Sequence, residues 1–99
     1  MIETRDLPKE ILKDIDSIKS ILLDAGVTEI YLFGSFAVGE YRTESDLDIA
    51  VIGLQKSKFF KVYGKILSTV ARNVDIISLD YENDFSKEIK KQANMIRVA

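Results

Sequence analysis

The stretch that decides the fold is residues 34–52, which read GSFAVGEYRTESDLDIAVI. It follows directly on the run VTEIYLF of residues 27–33, whose β-branched and aromatic residues are typical of a strand. Gly34 accepts backbone conformations that other residues resist, so Gly34-Ser35 predicts a sharp turn from this strand into a short helical segment. The stretch ends in DLDIAVI, residues 46–52, which predicts a second strand whose apolar end is covered on both faces.

Apolar residues at helical spacing predict two amphipathic helices around this stretch. The first covers residues 8–25, because Pro8 suits the first helical turn and Gly26 suits the position after the last turn. The second covers residues 57–70. Its apolar stripe is expected to consist of Phe59, Tyr63, Ile66 and Val70, widened by Phe60 and Leu67.

The remaining segments complete a small sheet. Residues 73–79 predict a third strand, residues 84–91 a short helix capped by Asp84, and residues 95–98 an edge strand. The sequence shows no repeats, linkers or low-complexity segments, and 99 residues suit one domain, 1–99. The expected fold class is therefore α/β (α+β), with a small mixed β-sheet flanked by helices.

Composition excludes several classes of chemistry. The chain contains neither cysteine nor histidine, which rules out disulfides, thiolate nucleophiles and imidazole acid–base catalysis. Any metal must then bind oxygen ligands, which favours Mg²⁺, Mn²⁺ or Ca²⁺. A net charge of −2 gives no support for direct nucleic-acid binding. The sequence has neither a membrane-spanning apolar run nor signal-peptide features, so we expect a cytoplasmic protein without membrane contact.

Gly34 and Ser35 form the first candidate site. A turn from a strand into a helix directs backbone N–H groups at whatever lies above it, and a phosphate group is a suitable ligand. Ser35 adds a hydroxyl donor. An ordinary surface loop explains the same dipeptide, so these two residues alone do not decide between the two interpretations.

Three aspartates form the second candidate site. Asp46 and Asp48 alternate along a strand, so both carboxylates point to one face, with Cα atoms about 6.5–7 Å apart. Their oxygens can bind one cation or bracket a pair of cations. Asp75 lies in an otherwise apolar strand and can join them from a neighbouring strand. The alternatives are a solvated strand start for Asp46 and Asp48, and an ion pair with Arg72 or Lys61 for Asp75.

The stretch GSFAVGEYRTESDLDIAVI resembles the signature of the DNA polymerase β-like nucleotidyltransferase superfamily, and nearly the whole chain is similar to its minimal nucleotidyltransferases. The resemblance rests on Gly34-Ser35, the interval 36–45, Ser45 before Asp46-Leu47-Asp48, and Asp75 in VDII. It implies the polymerase β-like core fold. It also implies that Asp46, Asp48 and Asp75 are the catalytic acids and bind two Mg²⁺ ions. Asp75 would in addition help to activate the acceptor hydroxyl.

The same resemblance implies that Gly34 and Ser35 bind the β- and γ-phosphates of ATP, with Ser45 in the phosphate-binding loop. One position departs from the family pattern. Val38 stands where many members have an arginine, and losing such a charged contact costs about 1.5–3 kcal/mol. Arg42 in the same loop is the candidate substitute.

Minimal members are commonly antitoxins paired with a HEPN-domain ribonuclease toxin, and some transfer AMP from ATP to a tyrosine of that toxin. The resemblance therefore implies an adenylyltransferase acting within a hetero-oligomer. The alternative is an antitoxin that neutralises its partner by binding alone, which the neutral Val38 favours. A third possibility, transfer to a small molecule or an RNA end, would require a substrate domain that the 99 residues do not contain.

Overall fold

The computed structural model describes residues 6–42, 44–80 and 95–99. Helix α1 covers Lys9–Asp24 and strand β1 covers Glu29–Phe33. The remaining elements, in chain order, are α2 (Ser35–Val38), β2 (Leu47–Ile52), a 3₁₀ turn (Lys56–Lys58), α3 (Phe59–Thr69), β3 (Val74–Ser78) and β4 (Ile96–Arg97). The predicted α/β organisation is therefore confirmed within these residues. The helix predicted over residues 84–91 lies outside the described residues.

The sheet is mixed and has the strand order β3-β2-β1-β4. Strand β1 runs antiparallel to both of its neighbours, β2 and β4. Strands β2 and β3 are parallel and are connected through α3, which is the crossover that a parallel pair requires. The edge strand predicted over residues 95–98 is confirmed as β4.

Helices α1 and α3 pack against one face of this sheet. The core contains Ile11, Ile15, Ile18 and Leu22 from α1, Val62 and Ile66 from α3, and Ile30, Leu32, Leu47, Ile49, Val51, Val74 and Ile76 from the strands. Alternate strand residues supply this face, as the pleat of a β-strand requires. The opposite face holds a smaller cluster centred on Ala50 and Leu79.

The predicted apolar stripe of α3 is partly wrong. Ile66 and Val70 are buried and Phe59 and Tyr63 are partly buried, as expected. Phe60 and Leu67, however, are 84% and 47% exposed. Val62 is buried at this helix face, so the stripe is centred one position away from where the sequence suggested, and Phe60 and Leu67 fall outside it. No helix among the described residues is long and apolar enough to cross a membrane.

Candidate active site

The pairing of β2 with β3 brings two acidic residues side by side. Asp48 is the direct partner of Asp75 in the parallel register, and adjacent strands are about 4.8 Å apart. Asp46 lies just before β2 and shares the strand parity of Asp48. All three carboxylates therefore belong to the face opposite α1 and α3, while Leu47 between them is fully buried. The structure thus sets Asp75 beside Asp48 on one face, while the closer convergence of all three acids stays a prediction.

Gly34 meets this acidic group from the end of β1. Its φ of 73° lies in the left-handed region that favours glycine. A Cβ atom at this position would overlap the Asp48 carboxylate, with the Asp48 Cγ only 3.0 Å away. Only a residue without a side chain lets the turn into α2 approach Asp48 this closely. The turn and the carboxylates thus form one continuous polar corner.

Ser35 begins α2, as the sequence predicted, and is partly buried. The amide groups at the start of a helix have no preceding turn to accept their hydrogen bonds. Those of Ser35 and Phe36 therefore lie beside Gly34, next to Asp48. This arrangement favours the predicted turn into a helix over an ordinary surface loop. The phosphate-binding role of Gly34 and Ser35 stays a prediction.

The surroundings of Asp48 disfavour the ionised form of its carboxyl group. Burial, followed by the negative charges of Asp75 and Asp46, raises the pKa of the Asp48 carboxyl from 3.8 to about 6. Asp75 and Asp46 are exposed and keep contact with water. A cation at this corner would remove the repulsion that disfavours the ionised form of Asp48.

The donor set suits Mg²⁺ chemically, because this cation prefers carboxylate oxygen ligands. The convergence of the ligands is incomplete in this conformation. Within residues 6–42, 44–80 and 95–99, no group of three or more histidine, cysteine, aspartate or glutamate side chains is close enough to hold a metal ion. The metal-binding role of Asp46, Asp48 and Asp75 therefore stays a prediction, supported by donor chemistry and by the charge at Asp48.

Arg72 holds the loop that leads into Asp46, a role the sequence did not reveal. Its Nε donates to Asp14 Oδ2 at 2.9 Å, and its Nη1 donates to the Ser45 carbonyl oxygen at 3.1 Å. The guanidinium also lies 5.7 Å from the ring centroid of the buried Phe36 in α2. One side chain thus ties α1, α2 and the strand of the acids together. Its partner Asp14 is distant in sequence, so no local pattern could have identified the pair.

Ser45 and Arg42 contact each other within the same loop. The Arg42 N–H donates to Ser45 Oγ at 2.8 Å, and the Ser45 N–H donates to the Arg42 carbonyl oxygen at 3.0 Å. The Ser45 hydroxyl therefore orders the turn before Asp46. Arg42 is exposed and Val38 is 42% exposed. The predicted phosphate contacts of Ser45 and Arg42 stay predictions.

Tyr63 is a further residue beside the acids that the sequence placed only in an apolar stripe. Its hydroxyl donates to the Val74 carbonyl oxygen at 2.5 Å, directly before Asp75. Burial raises the pKa of Tyr63, and the charges of Asp75 and Asp46 raise it further. The charges of the acidic corner therefore act on Tyr63, whose hydroxyl holds the start of β3 in place. A tyrosine among apolar residues was the available signal, since its buried hydroxyl needs a partner.

Comparison with known sequences assigns the chain to a family and identifies similar proteins. Residues 16–98 match the model of the family described as "Polymerase beta, Nucleotidyltransferase". "Putative protein adenylyltransferase MJ0141" of Methanocaldococcus jannaschii is 33% identical over 91 residues, which is 92% of this chain and 83% of that protein. "Putative protein adenylyltransferase MJ1547" of the same organism is 38% identical over 37 residues, which is 37% of this chain and 30% of that protein.

Comparison with solved structures gives the same fold. A chain of a toxin–antitoxin crystal structure with AMP-PNP has a TM-score of 0.71 and 24% identity, covering 93% of this chain and 73% of that chain. A second structure holds a tri-AMPylated Shewanella oneidensis HEPN toxin in complex with MNT antitoxin. It gives a TM-score of 0.65 and 23% identity, covering 91% of this chain and 71% of that chain.

Proposed function

Because this chain belongs to the polymerase β nucleotidyltransferase family, we propose that it transfers AMP from ATP to a hydroxyl group of a protein. The observation that carries the proposal is the corner where Gly34 approaches Asp48 and the β2–β3 register sets Asp75 beside it. The relative that spans most of this chain is named as a protein adenylyltransferase, which supports AMP as the group and a protein as the acceptor. ATP is available in the cytoplasm, where we place the protein.

The residues of the corner have separate roles in this reaction. Gly34 and Ser35 contact the β- and γ-phosphates through the helix start and the Ser35 hydroxyl. Asp46, Asp48 and Asp75 would hold Mg²⁺, which neutralises charge on the triphosphate when it is bound. Asp75 is exposed beside Asp48, and its carboxylate can also receive a proton from an acceptor at the surface.

The transfer itself is a displacement at the α-phosphorus. The acceptor oxygen forms a bond to that phosphorus while the bond to the bridging oxygen breaks and pyrophosphate leaves. The proton of the acceptor hydroxyl goes to the Asp75 carboxylate. Phosphoryl chemistry of this kind depends mainly on positioning and on charge stabilisation, which the acids and the turn at Gly34 would supply.

The proposed acceptor is a tyrosine of a HEPN-domain toxin, and the chain acts as the antitoxin of that pair. The support comes from fold neighbours, since an AMPylated HEPN toxin forms the complex that contains one similar chain. Transfer to a tyrosine of the toxin also requires that the two proteins bind each other. The proposal therefore includes a hetero-oligomer of this chain with the toxin.

The test uses ATP labelled at the α-phosphate, Mg²⁺ and a purified HEPN-domain toxin. We expect label on the toxin with the wild-type chain and a loss of at least a hundredfold with Asp48→Asn, which corresponds to about 2.7 kcal/mol of transition-state stabilisation. Asp16→Asn is the matched control, because it removes an exposed carboxylate from α1, and its labelling should equal that of the wild type. Equal labelling by Asp48→Asn would refute the assigned site.

A second candidate function is neutralisation by binding alone. The specific observation in its favour is the exposed, uncharged Val38, which offers no guanidinium to the phosphates. In this case cells expressing the toxin survive equally well with the wild-type chain and with an Asp46→Asn/Asp48→Asn double variant. Loss of protection by a double variant that still binds the toxin would eliminate this candidate.

A further inference from the structure

The start of α3 carries an aromatic residue, Phe60, whose side chain is largely exposed. Phe60 is 84% exposed, the largest value among the exposed large apolar side chains of the described residues. Its ring lies edge to face against Phe59, with ring centroids 5.7 Å apart and an interplanar angle of 90°. An aromatic side chain in this position is held in place by its neighbour and is available to a partner.

An apolar groove of about 270 Å³ opens beside this ring. It runs between the start of α3 and strand β3, and its lining consists of Leu54, Lys56, Phe59, Phe60, Ile76, Ile77 and Ser78. Grooves lined mainly by apolar side chains with a few polar groups are typical binding sites for a protruding side chain. The groove thus offers a cavity, and Phe60 offers a ring to cover its occupant.

The charged residues on the helical side of this groove have a single sign, whereas on the strand side the Asp80 carboxylate accepts a hydrogen bond from Ser78. Every charged residue between Gly53 and Val74 is basic, in a chain whose net charge is −2. Lys56, Lys58 and Lys61 are exposed around Phe60, and together with Phe60 and the groove they form what we call the α3 surface. A helical side with exposed lysines favours a partner whose side chains are negative where they meet that helix.

The α3 surface adjoins the acidic corner. Phe59 lies edge to face on Tyr63, with ring centroids 5.8 Å apart. The Tyr63 hydroxyl in turn donates to the carbonyl oxygen of Val74, the residue before Asp75. The groove also follows β3 onward from Asp75, because it is lined by Ile76 and Ile77. A protein bound at the α3 surface is therefore beside the proposed site of transfer.

We propose that the α3 surface docks the acceptor protein through an apolar side chain that enters the groove and is flanked by carboxylates of that protein. This inference rests on the proposed function. A nucleic acid fits the same positive charge less well, because base stacking uses several aromatic faces along a strand and only Phe60 is exposed here. Its phosphates would also lie near Asp46 and Asp75, where negative charge repels them.

The experiment measures the dissociation constant for the purified HEPN-domain toxin by calorimetry, with Mg²⁺ and the non-transferable analogue AMP-PNP present. We expect Phe60→Ser and the double variant Lys58→Glu/Lys61→Glu each to weaken binding at least tenfold. The variants Leu23→Ser and Lys9→Glu are matched controls from α1, where both side chains are exposed, and should bind within twofold of the wild type. Thermal unfolding verifies that each variant is folded.

Kinetics and a second ligand complete the test. In the labelling reaction, Phe60→Ser should raise the KM for the toxin at least tenfold while kcat at saturating toxin stays within twofold. Wild-type binding should also weaken at higher ionic strength, as charge complementarity requires. Toxin binding by Phe60→Ser within twofold of the wild type, or no toxin binding by the wild type, overturns the proposal. The proposal is also overturned if Phe60→Ser weakens the binding of a fluorescent oligouridine but leaves the binding of the toxin unchanged.

The docking proposal and the proposed reaction fail in different ways. Tight binding that depends on Phe60 without label transfer refutes the reaction and leaves the docking surface intact. Label transfer that is insensitive to Phe60 refutes the docking surface and leaves the reaction intact.

Discussion

One face of the sheet is covered by α1 and α3, whereas the other face carries Asp48 and Asp75. On the covered face Leu32, Leu47 and Ile49 have no solvent exposure at all. On the opposite face Asp48 is half-buried and Asp75 is exposed. The comparison shows how a small domain separates its tasks: one face supplies stability, and the other holds repelling charges that reduce it.

The largest expected effect comes from the covered face. Ile49→Ala should lower the free energy of unfolding by about 2–5 kcal/mol, because it leaves a cavity in a fully buried position. Ile77→Ala on the opposite face should cost about 1–2 kcal/mol, because this side chain is only partly buried. Urea unfolding of both variants measures the difference. Equal losses would contradict the division of labour between the faces.

The next effect concerns the turn at the end of β1. Gly34→Ala should reduce transfer at least a hundredfold, about 2.7 kcal/mol, because the new methyl group displaces the Asp48 carboxylate. Gly26→Ala is the matched control, since its φ is also positive, at 93°, but a Cβ there meets no atom within 4 Å. It should lose stability through backbone strain alone and retain its activity per folded molecule. Equal activity of the two folded variants would show that the Gly34 contact has no function.

A smaller effect links Asp48 to pH. Its folded-state pKa of about 6 exceeds the ordinary 3.8, so the folded protein retains this proton more strongly. The stabilisation of the folded state by this proton is complete below pH 3.8 and is lost as the pH rises through 6. The full shift equals about 3 kcal/mol, which solvent around this half-exposed group reduces to about 1–2 kcal/mol.

The variant Asp48→Asn removes this pH dependence. Without metal, it should therefore match the wild type near pH 4 and exceed its unfolding free energy by about 1–2 kcal/mol near pH 7.5. Urea titrations across this range test the difference. Mg²⁺ should stabilise the wild type selectively, and a pH-independent difference between the two proteins would contradict the assigned strain.

The smallest expected effect comes from adding a positive charge to the polar corner. Val38 is 42% exposed, so Val38→Arg places a guanidinium at the surface of α2 without disturbing the core. We expect the KM for ATP to fall about fivefold to tenfold, about 1–1.4 kcal/mol, through a charge-assisted phosphate contact. Val38→Gln, which adds length without charge, should leave the KM unchanged. An unchanged KM in Val38→Arg would show that Arg42 already supplies the contact or that α2 does not face the phosphates.

Sequence reasoning predicted the elements whose signals are local. The apolar spacing of α1, the β-branched run of β1 and the turn at Gly34 each lie within a few neighbouring residues, and the structure confirms them. The placement of Asp48 and Asp75 on one face was also predictable from the alternation of strand residues, whereas the register that pairs them directly was not.

Other features depend on tertiary contacts that no local pattern contains. Val62 and Phe60 lie at opposite edges of an apolar arc that covers nearly half of the α3 circumference, so spacing alone cannot tell that Val62 is buried and Phe60 exposed. The ion pair of Arg72 with Asp14 joins residues 58 positions apart. The sequence allows Arg72 to pair with Asp75, and the structure shows Arg72 bound to Asp14 of α1 and to the loop before Asp46.

The parallel register of β2 and β3 has a consequence for how the site tolerates change. A slip of one residue would turn Asp75 towards α3 and expel Val74 and Ile76 from the core. The apolar side chains of β2 and β3 therefore fix the alignment of the acids. Hydrophobic packing thus sets the positions of the acids. Each acid can therefore be substituted singly while the scaffold keeps the remaining acids in place.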